Sequence, residues 1–249
     1  MSLACTALAV PGRLAGVTAR FAPGRVTAIC GPNGAGKSTL LAALAGLLPA
    51  TGAVVLDGQP LAALPSACRA QAIGYLPQSG DIAWDLSVET LVSLGRLPWR
   101  GAPAPEAAAA IDAAIATLDL EPLRHRPLSR LSGGERARAL VARVLAGRPR
   151  WLLADEPLAS LDLAHAAALM AALKAEAARG TGVVVVLHDL AMAMNHADQV
   201  LVLDRGAVAA AGDPAQALAE TVLARVWQVA VRWHGPPQAR ALALDARPA

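Results

Sequence analysis

The sequence predicts a single α/β domain built on a mostly parallel sheet, and three observations carry that expectation. A glycine-rich loop, GPNGAGKST at residues 31–39, joins the short apolar run RVTAIC to a helix beginning TLLAALAGLL. Apolar runs such as WLLAD and VVVVLHD alternate with helical stretches in the second half, and strands without polar alternation belong to a sheet covered on both faces. Between these parts, from about residue 85 to 147, the chain reads as helices.

The loop comes first in the chain and says most about chemistry. It fits G-x-x-x-x-G-K-[ST] at every fixed position, in the order strand, loop, helix. Glycine at positions 31, 34 and 36 lets the backbone close into a nest of N–H donors around phosphate. Lys37 adds a mobile positive charge, the hydroxyl of Ser38 suits Mg2+, and the helix start turns its positive end toward the anion. A plain glycine turn has no use for lysine followed by two hydroxyl residues. Gly31, Pro32, Asn33, Gly34, Ala35, Gly36, Lys37, Ser38 and Thr39 are therefore the candidate residues for binding a nucleoside triphosphate.

The middle segment follows. LSVETLVSLGRL has apolar spacing near 3.6, and APAPEAAAAIDAAIATLDL continues with Ile111, Ile115 and Leu118 as a stripe at i, i+4 and i+7. In LSGGE, residues 131–135, a hydroxyl and two glycines precede the helical run ERARALVARVLAG, so a capped helix start can face an anion. The strand WLLADEP then ends in two carboxylates, Asp155 placed for the hydration shell of Mg2+ and Glu156 as a candidate base for water. The apolar run VVVVL then leads to His188.

Composition excludes several classes. A chain of 249 residues supports one domain with a full core rather than two. Hydrophobic residues make up 55%, yet the longest uncharged stretch, residues 38–56, contains Pro49, Thr51 and Gly52, and its first half belongs to the helix after the loop, so it is not a span. MSLACTALAVPG lacks the basic start of a secretory signal, and a cytoplasmic location is expected. Cys5, Cys30 and Cys68 show no metal spacing and are expected as inert packing residues in a reducing compartment. The 22 basic and 19 acidic residues give a formal net charge of +3 with no basic cluster, so nucleic acid is not an expected partner.

Taken together, the stations resemble the nucleotide-binding subunits of ABC transporters, whose signature is usually written LSGGQ and tolerates Glu in the last place. Gln78 in YLPQ matches the Q-loop, SLD at 160–162 the D-loop, and His188 the switch histidine, over a resemblance running from about residue 26 to 233. It implies a P-loop NTPase (RecA-like) core at about 1–84 and 148–249, with a small N-terminal antiparallel β part and an inserted α-helical subdomain at about 85–147. A Pro/Ala-rich tail at about 236–249 is expected to be poorly ordered.

By the same resemblance Glu156 and His188 are catalytic, Ser38, Gln78 and Asp155 (the last through water) hold Mg2+, and Gln78 joins the ATP-binding set. Ser132, Gly133, Gly134 and Glu135 act in trans on ATP held by a second copy, with Asp162 in the D-loop. The implied cofactors are ATP and Mg2+. Implied partners are a second ATPase subunit, an integral-membrane permease and, indirectly, a substrate-binding protein, at the cytoplasmic face of the inner membrane. The permease contact is expected at about residues 78–100, where Trp84, Leu86, Leu97 and Trp99 offer apolar surface. Finer texture, including DIAWDLSVETLVSLGRLPWR and ETVLARVWQVAV, resembles the ATPases of iron-siderophore, haem and cobalamin importers. The alternative is a soluble ABC ATPase of a cofactor-assembly system without transport. One departure stands out: the family's N-terminal aromatic ring, which stacks on adenine, is absent from LAVPGR at residues 8–13, a part that reads as shortened. Phe21 is the only early aromatic residue.

Overall fold

The computed structural model describes residues 2–78, 85–159 and 161–244. Strands β1 (Leu3–Val10) and β2 (Leu14–Phe21) form an antiparallel hairpin, each a full eight residues despite the compressed appearance of LAVPGR. After β3 (Val26–Cys30) and α1 (Lys37–Leu44), β4 (Thr51–Leu56) and β5 (Gln59–Pro60) extend the hairpin into a sheet of order β2-β1-β4-β5. Helix α2 (Ser66–Ala72) and strand β6 (Ile73–Leu76) complete the first half.

The helical insertion contains α3 (Val88–Ser93), a 3-10 turn at Leu94–Trp99, α4 (Ala104–Thr117) and α5 (Gly133–Ala146). Ile115 and Leu118 of the expected stripe are buried and Ile111 packs against them. Arg124 ties the insertion together through Glu89 and Asp112 at 2.8 Å and Glu121 at 3.0 Å. The core resumes with β7 (Trp151–Asp155), α6 (Leu163–Ala178), β8 (Gly182–Val186), α7 (Leu190–His196), β9 (Gln199–Asp204) and β10 (Ala207–Gly212). The main sheet has the order β10-β9-β3-β8-β7-β6, with only β10 antiparallel to its neighbour.

Both faces of this sheet are covered, which explains its unbroken apolar strands. Val183 and Val185 enter one core with α5 and α6, while Val184 and Val186 enter the other with α1 and the antiparallel sheet. Side chains alternate across the pleat, so the four successive valines of β8 feed two cores. Cys5 and Cys30 are buried there, and burial pushes the Cys30 thiol up to about 12. Cys68 is exposed, against the expectation that all three pack inside.

The chain continues through α8 (Pro214–Ala217) and α9 (Glu220–Trp227) to a hairpin of β11 (Val231–His234) and β12 (Ala241–Leu244). The second strand of this hairpin lies within the stretch expected to be poorly ordered. Asn195 and the backbone of Arg240 exchange hydrogen bonds of 2.8 and 2.9 Å, and Trp233 Nε1 donates to the Leu218 carbonyl at 2.8 Å. Among the described residues no helix is long and apolar enough to cross a membrane.

Candidate functional site

Strand register assembles the site. In the parallel sheet Ile29 of β3 and Asp155 of β7 both pair with Val186 of β8, and Leu76 of β6 pairs with Ala154 of β7. The residues just beyond these pairs therefore emerge along one edge: the loop from Gly31, His188, Glu156 and Gln78. Carboxyl ends of parallel strands are where open α/β sheets bind ligands.

The loop is shaped by close approaches that only glycine allows. A Cβ on Gly31 would lie 2.3 Å from the Leu203 carbonyl oxygen. Gly36, the left-handed N-cap of α1 at φ 96°, would place a Cβ 2.7 Å from the Arg13 carbonyl oxygen. Lys37 is 6% exposed, and its ammonium donates to the carbonyls of Gly31 and Pro32 at 2.9 and 3.0 Å. Burial lowers its pKa, while Glu156, Cys30 and Asp155 pull the other way.

Ser38 Oγ donates to Asp155 Oδ1 at 3.1 Å. Asp155 is 3% exposed, and its carboxyl is raised by burial, a rise that the Ser38 hydrogen bond opposes and the nearby Glu156 charge reinforces. A buried carboxylate beside a hydroxyl at the mouth of a phosphate loop is an oxygen pair suited to a hard divalent cation. Glu156 sits next to it in the left-handed region at φ 51°, a strained conformation for a side-chain-bearing residue. Its carboxylate is held from both sides, by Gln78 Nε2 donating to Oε2 at 2.8 Å and by His188 Nε2 paired with Oε1.

A cleft of about 530 Å3 runs from Asn33 and Gly34 past Lys37 and Ser38 to this Gln78, Glu156 and His188 wall. Arg13, which sequence reasoning passed over, also lines it. Its place there depends on a turn packing against residues distant in sequence, a contact that leaves no local pattern.

No residue of 131–135 lines the cleft. Ser132 instead caps α5: its Oγ accepts from the Glu135 N–H at 3.2 Å, and Glu135 Oε2 accepts from the Ser132 N–H at 2.8 Å. This reciprocal box works with Glu or Gln, which accounts for the glutamate in LSGGE. The Ser132 N–H bond, aided by the Ser132 hydroxyl and by Arg126 and Arg138, holds the Glu135 carboxyl below its ordinary value. Ser132 and Gly133 are exposed. A Cβ on Gly134 would meet Leu161 at 3.2 Å, so the signature lies against the start of α6 in the same chain. There Asp162 Oδ1 accepts from the His165 N–H at 2.9 Å, and the neighbouring Leu163 is 90% exposed. Ser160 lies outside the described residues, as does Trp84.

Of the residues expected to face a partner, Leu97 is 53% exposed and Leu86 is half-buried. Trp99 is anchored, its Nε1 donating to the Gly147 carbonyl at 2.8 Å with Arg96 stacked 5.2 Å from its ring.

A phosphate loop, a buried acid beside its hydroxyl, a strained glutamate at the very next residue and a capped signature helix define a nucleotide-binding cassette of the ABC type. Residues 14–159 match the ABC transporter family model, and the chain belongs to that family. Among curated proteins it is 45% identical to the hemin import ATP-binding protein HmuV of Rhodococcus jostii over 206 residues, covering 82% of this chain and 70% of that protein. HmuV of Streptomyces coelicolor is 43% identical over 231 residues, covering 92% and 82%. Among solved structures, a dimeric bacterial ABC transporter cassette is 27% identical with a TM-score of 0.76, covering 85% of this chain and 98% of that one. A metal-chelate type ABC transporter in an inward-facing conformation shares the fold at a TM-score of 0.85 and 23% identity, covering 99% and 98%.

Proposed function

We propose that the chain is the ATP-hydrolysing subunit of an importer for haem or a related iron chelate, working as a homodimer against a membrane permease. The observation that carries the hydrolytic reading is the Glu156 carboxylate fixed between Gln78 and His188 on the wall of the phosphate-loop cleft. The haem reading rests on the curated relatives, which are named for hemin import.

In this scheme the loop N–H groups, Lys37 and the start of α1 hold the β- and γ-phosphates. Lys37 leaves the Gly31 and Pro32 carbonyls to do so. Ser38 and Asp155 would hold Mg2+, which when bound neutralises charge on the phosphate oxygens. Glu156 accepts a proton from the attacking water, and Gln78 and His188 keep its two oxygens in place. Water's oxygen attacks the γ-phosphorus in line as the bond to the ADP oxygen breaks, giving ADP and phosphate.

The signature supplies the remaining donors in trans. Ser132 and Gly133 are exposed and absent from their own chain's cleft, so a head-to-tail second copy would place them, with Gly134 and Glu135 behind, over the γ-phosphate. Asp162 and exposed Leu163 would lie in the same interface. The permease would dock on residues 78–100, Leu97 among them, and report its position through Gln78 to Glu156. A substrate-binding protein would act on this subunit only indirectly.

The test is reconstitution of the chain with its permease in liposomes, with ATPase activity measured against added hemin, ferric siderophore or cobalamin. Stimulation by hemin or a ferric chelate is expected. Stimulation by cobalamin alone, or no association with any polytopic membrane protein, would contradict the proposal.

A further inference from the structure

The cleft is built at one end only for phosphate and water. A volume of about 530 Å3 has room for a whole nucleotide. With the γ-phosphate toward Gln78, Glu156 and His188, the base must lie at the opposite end of the loop. The lining residue not accounted for by the phosphate loop or by that wall is Arg13.

Its backbone is fixed to the loop. The Arg13 N–H donates to the Val10 carbonyl at 2.9 Å, and the Arg13 carbonyl fits against Gly36 and Gly206, where a Cβ on either would approach to 2.7 Å. Ala15 N–H donates to Gly206 O at 2.9 Å, and Gly206 N–H to Ala35 O at 3.0 Å. The turn between β1 and β2 is thereby stapled to the loop. The side chain itself is exposed and makes no hydrogen bond or ion pair with the described residues.

No aromatic residue lines the cleft among the described residues. Phe21, the chain's single phenylalanine, is 1% exposed in the core beneath the hairpin, and the single tyrosine, Tyr75, packs against that same core. Neither offers a free face to a base. A guanidinium is planar, weakly hydrated and stacks on π-faces, so it can do what a ring would otherwise do.

We infer that Arg13 is the base platform of this ATPase, its guanidinium stacking on the purine while the loop holds the phosphates, a reading that rests on the ATPase assignment above. Lys37, the loop N–H groups and the start of α1 already meet the phosphate charge, so the second cation is free for the base. Such a platform recognises a flat π-system rather than its edge, so adenine and guanine should be held alike.

The experiment is calorimetric titration of the full chain and its variants with ATP, GTP and inorganic tripolyphosphate. Arg13→Ala is expected to weaken ATP and GTP binding by about 5- to 30-fold and to leave tripolyphosphate affinity unchanged. Arg13→Trp should restore nucleotide affinity, and Arg13→Lys, which keeps the charge but loses the plane, should not. Equal loss for nucleotides and tripolyphosphate with rescue by lysine would make Arg13 a phosphate contact and overturn the inference. So would unchanged nucleotide binding in Arg13→Ala. Failure of the unsubstituted chain to bind ATP would instead refute the ATPase assignment.

Discussion

Replacing Glu156 by Gln isolates the proposed general base, because both of its contacts survive the change. The new amide oxygen can still accept from Gln78 Nε2, now 2.8 Å from Oε2, and the new NH2 can donate to a neutral His188 Nε2 in place of the present pairing. Side-chain volume and the strained backbone at φ 51° are retained. What disappears is an oxygen basic enough to take a proton from water. Loss of a general base costs about 10²- to 10⁴-fold in rate, or roughly 2.7–5.5 kcal/mol at 1.36 kcal/mol per decade. Phosphate release at saturating ATP and Mg2+ should fall by that factor, with ATP affinity within about threefold of the original. His188→Ala leaves Glu156 with one anchor in place of two. A hydrogen bond to a charged group contributes about 1.5–3 kcal/mol, so a loss of about 10- to 100-fold is expected, smaller than for Glu156→Gln. Turnover of Glu156→Gln within about threefold of the original, or a rate loss matched by equal loss of ATP binding, would refute the assignment.

Further outcomes follow from the loop, the signature helix and the cysteines. Gly36→Ala forces a Cβ to within 2.7 Å of the Arg13 carbonyl at a φ of 96°, and a cost of about 1–3 kcal/mol should lower the melting temperature by about 2–10 °C in a thermal melt. Ser132→Ala opens the capping box and should cost about 1 kcal/mol in denaturant unfolding, whereas Glu135→Gln, which preserves the box, should leave stability and ATPase activity close to the original. In the native protein only Cys68 should react with a thiol reagent at pH 8, with Cys5 and Cys30 appearing after denaturation. Because the Cys30 thiol is raised from 9.0 to about 12 in the fold, its neutral form stabilises the protein fully below pH 9, and that contribution is lost as pH rises from 9 toward 12, which alkaline unfolding curves would register.

Much of the site was legible because its chemistry is local. The loop at 31–39 carries its donors, cation and hydroxyl within nine residues, and Ser132 and Glu135 form their box within one helical turn. Glu156 and His188 are 32 residues apart, yet each follows an apolar strand, and parallel pairing of β7 with β8 brings such strand ends side by side. Arg13 was not legible, since its position is set by Gly36 and Gly206, which share no sequence period with it. Trp99 could not be sorted from sequence either: the same amphipathic ring suits a partner surface or, as here, a hydrogen bond to a helix-end carbonyl. The hairpin of β11 and β12 was hidden by its short strands and the Pro-Pro turn between them, and is held by contacts to Asn195 on α7 rather than by a pattern of its own.

The claim that each ATP site is completed by a second copy is tested most directly by light scattering of Glu156→Gln, at concentrations matching the assembled transporter, with and without saturating ATP and Mg2+. Because Ser132 and Gly133 are exposed and stand outside their own cleft, ATP should convert a species of 25.3 kDa into one of twice that mass, and Ser132→Arg in the same background should abolish the conversion. A Glu156→Gln protein that binds ATP yet keeps the mass of one chain at saturation would contradict the composite site.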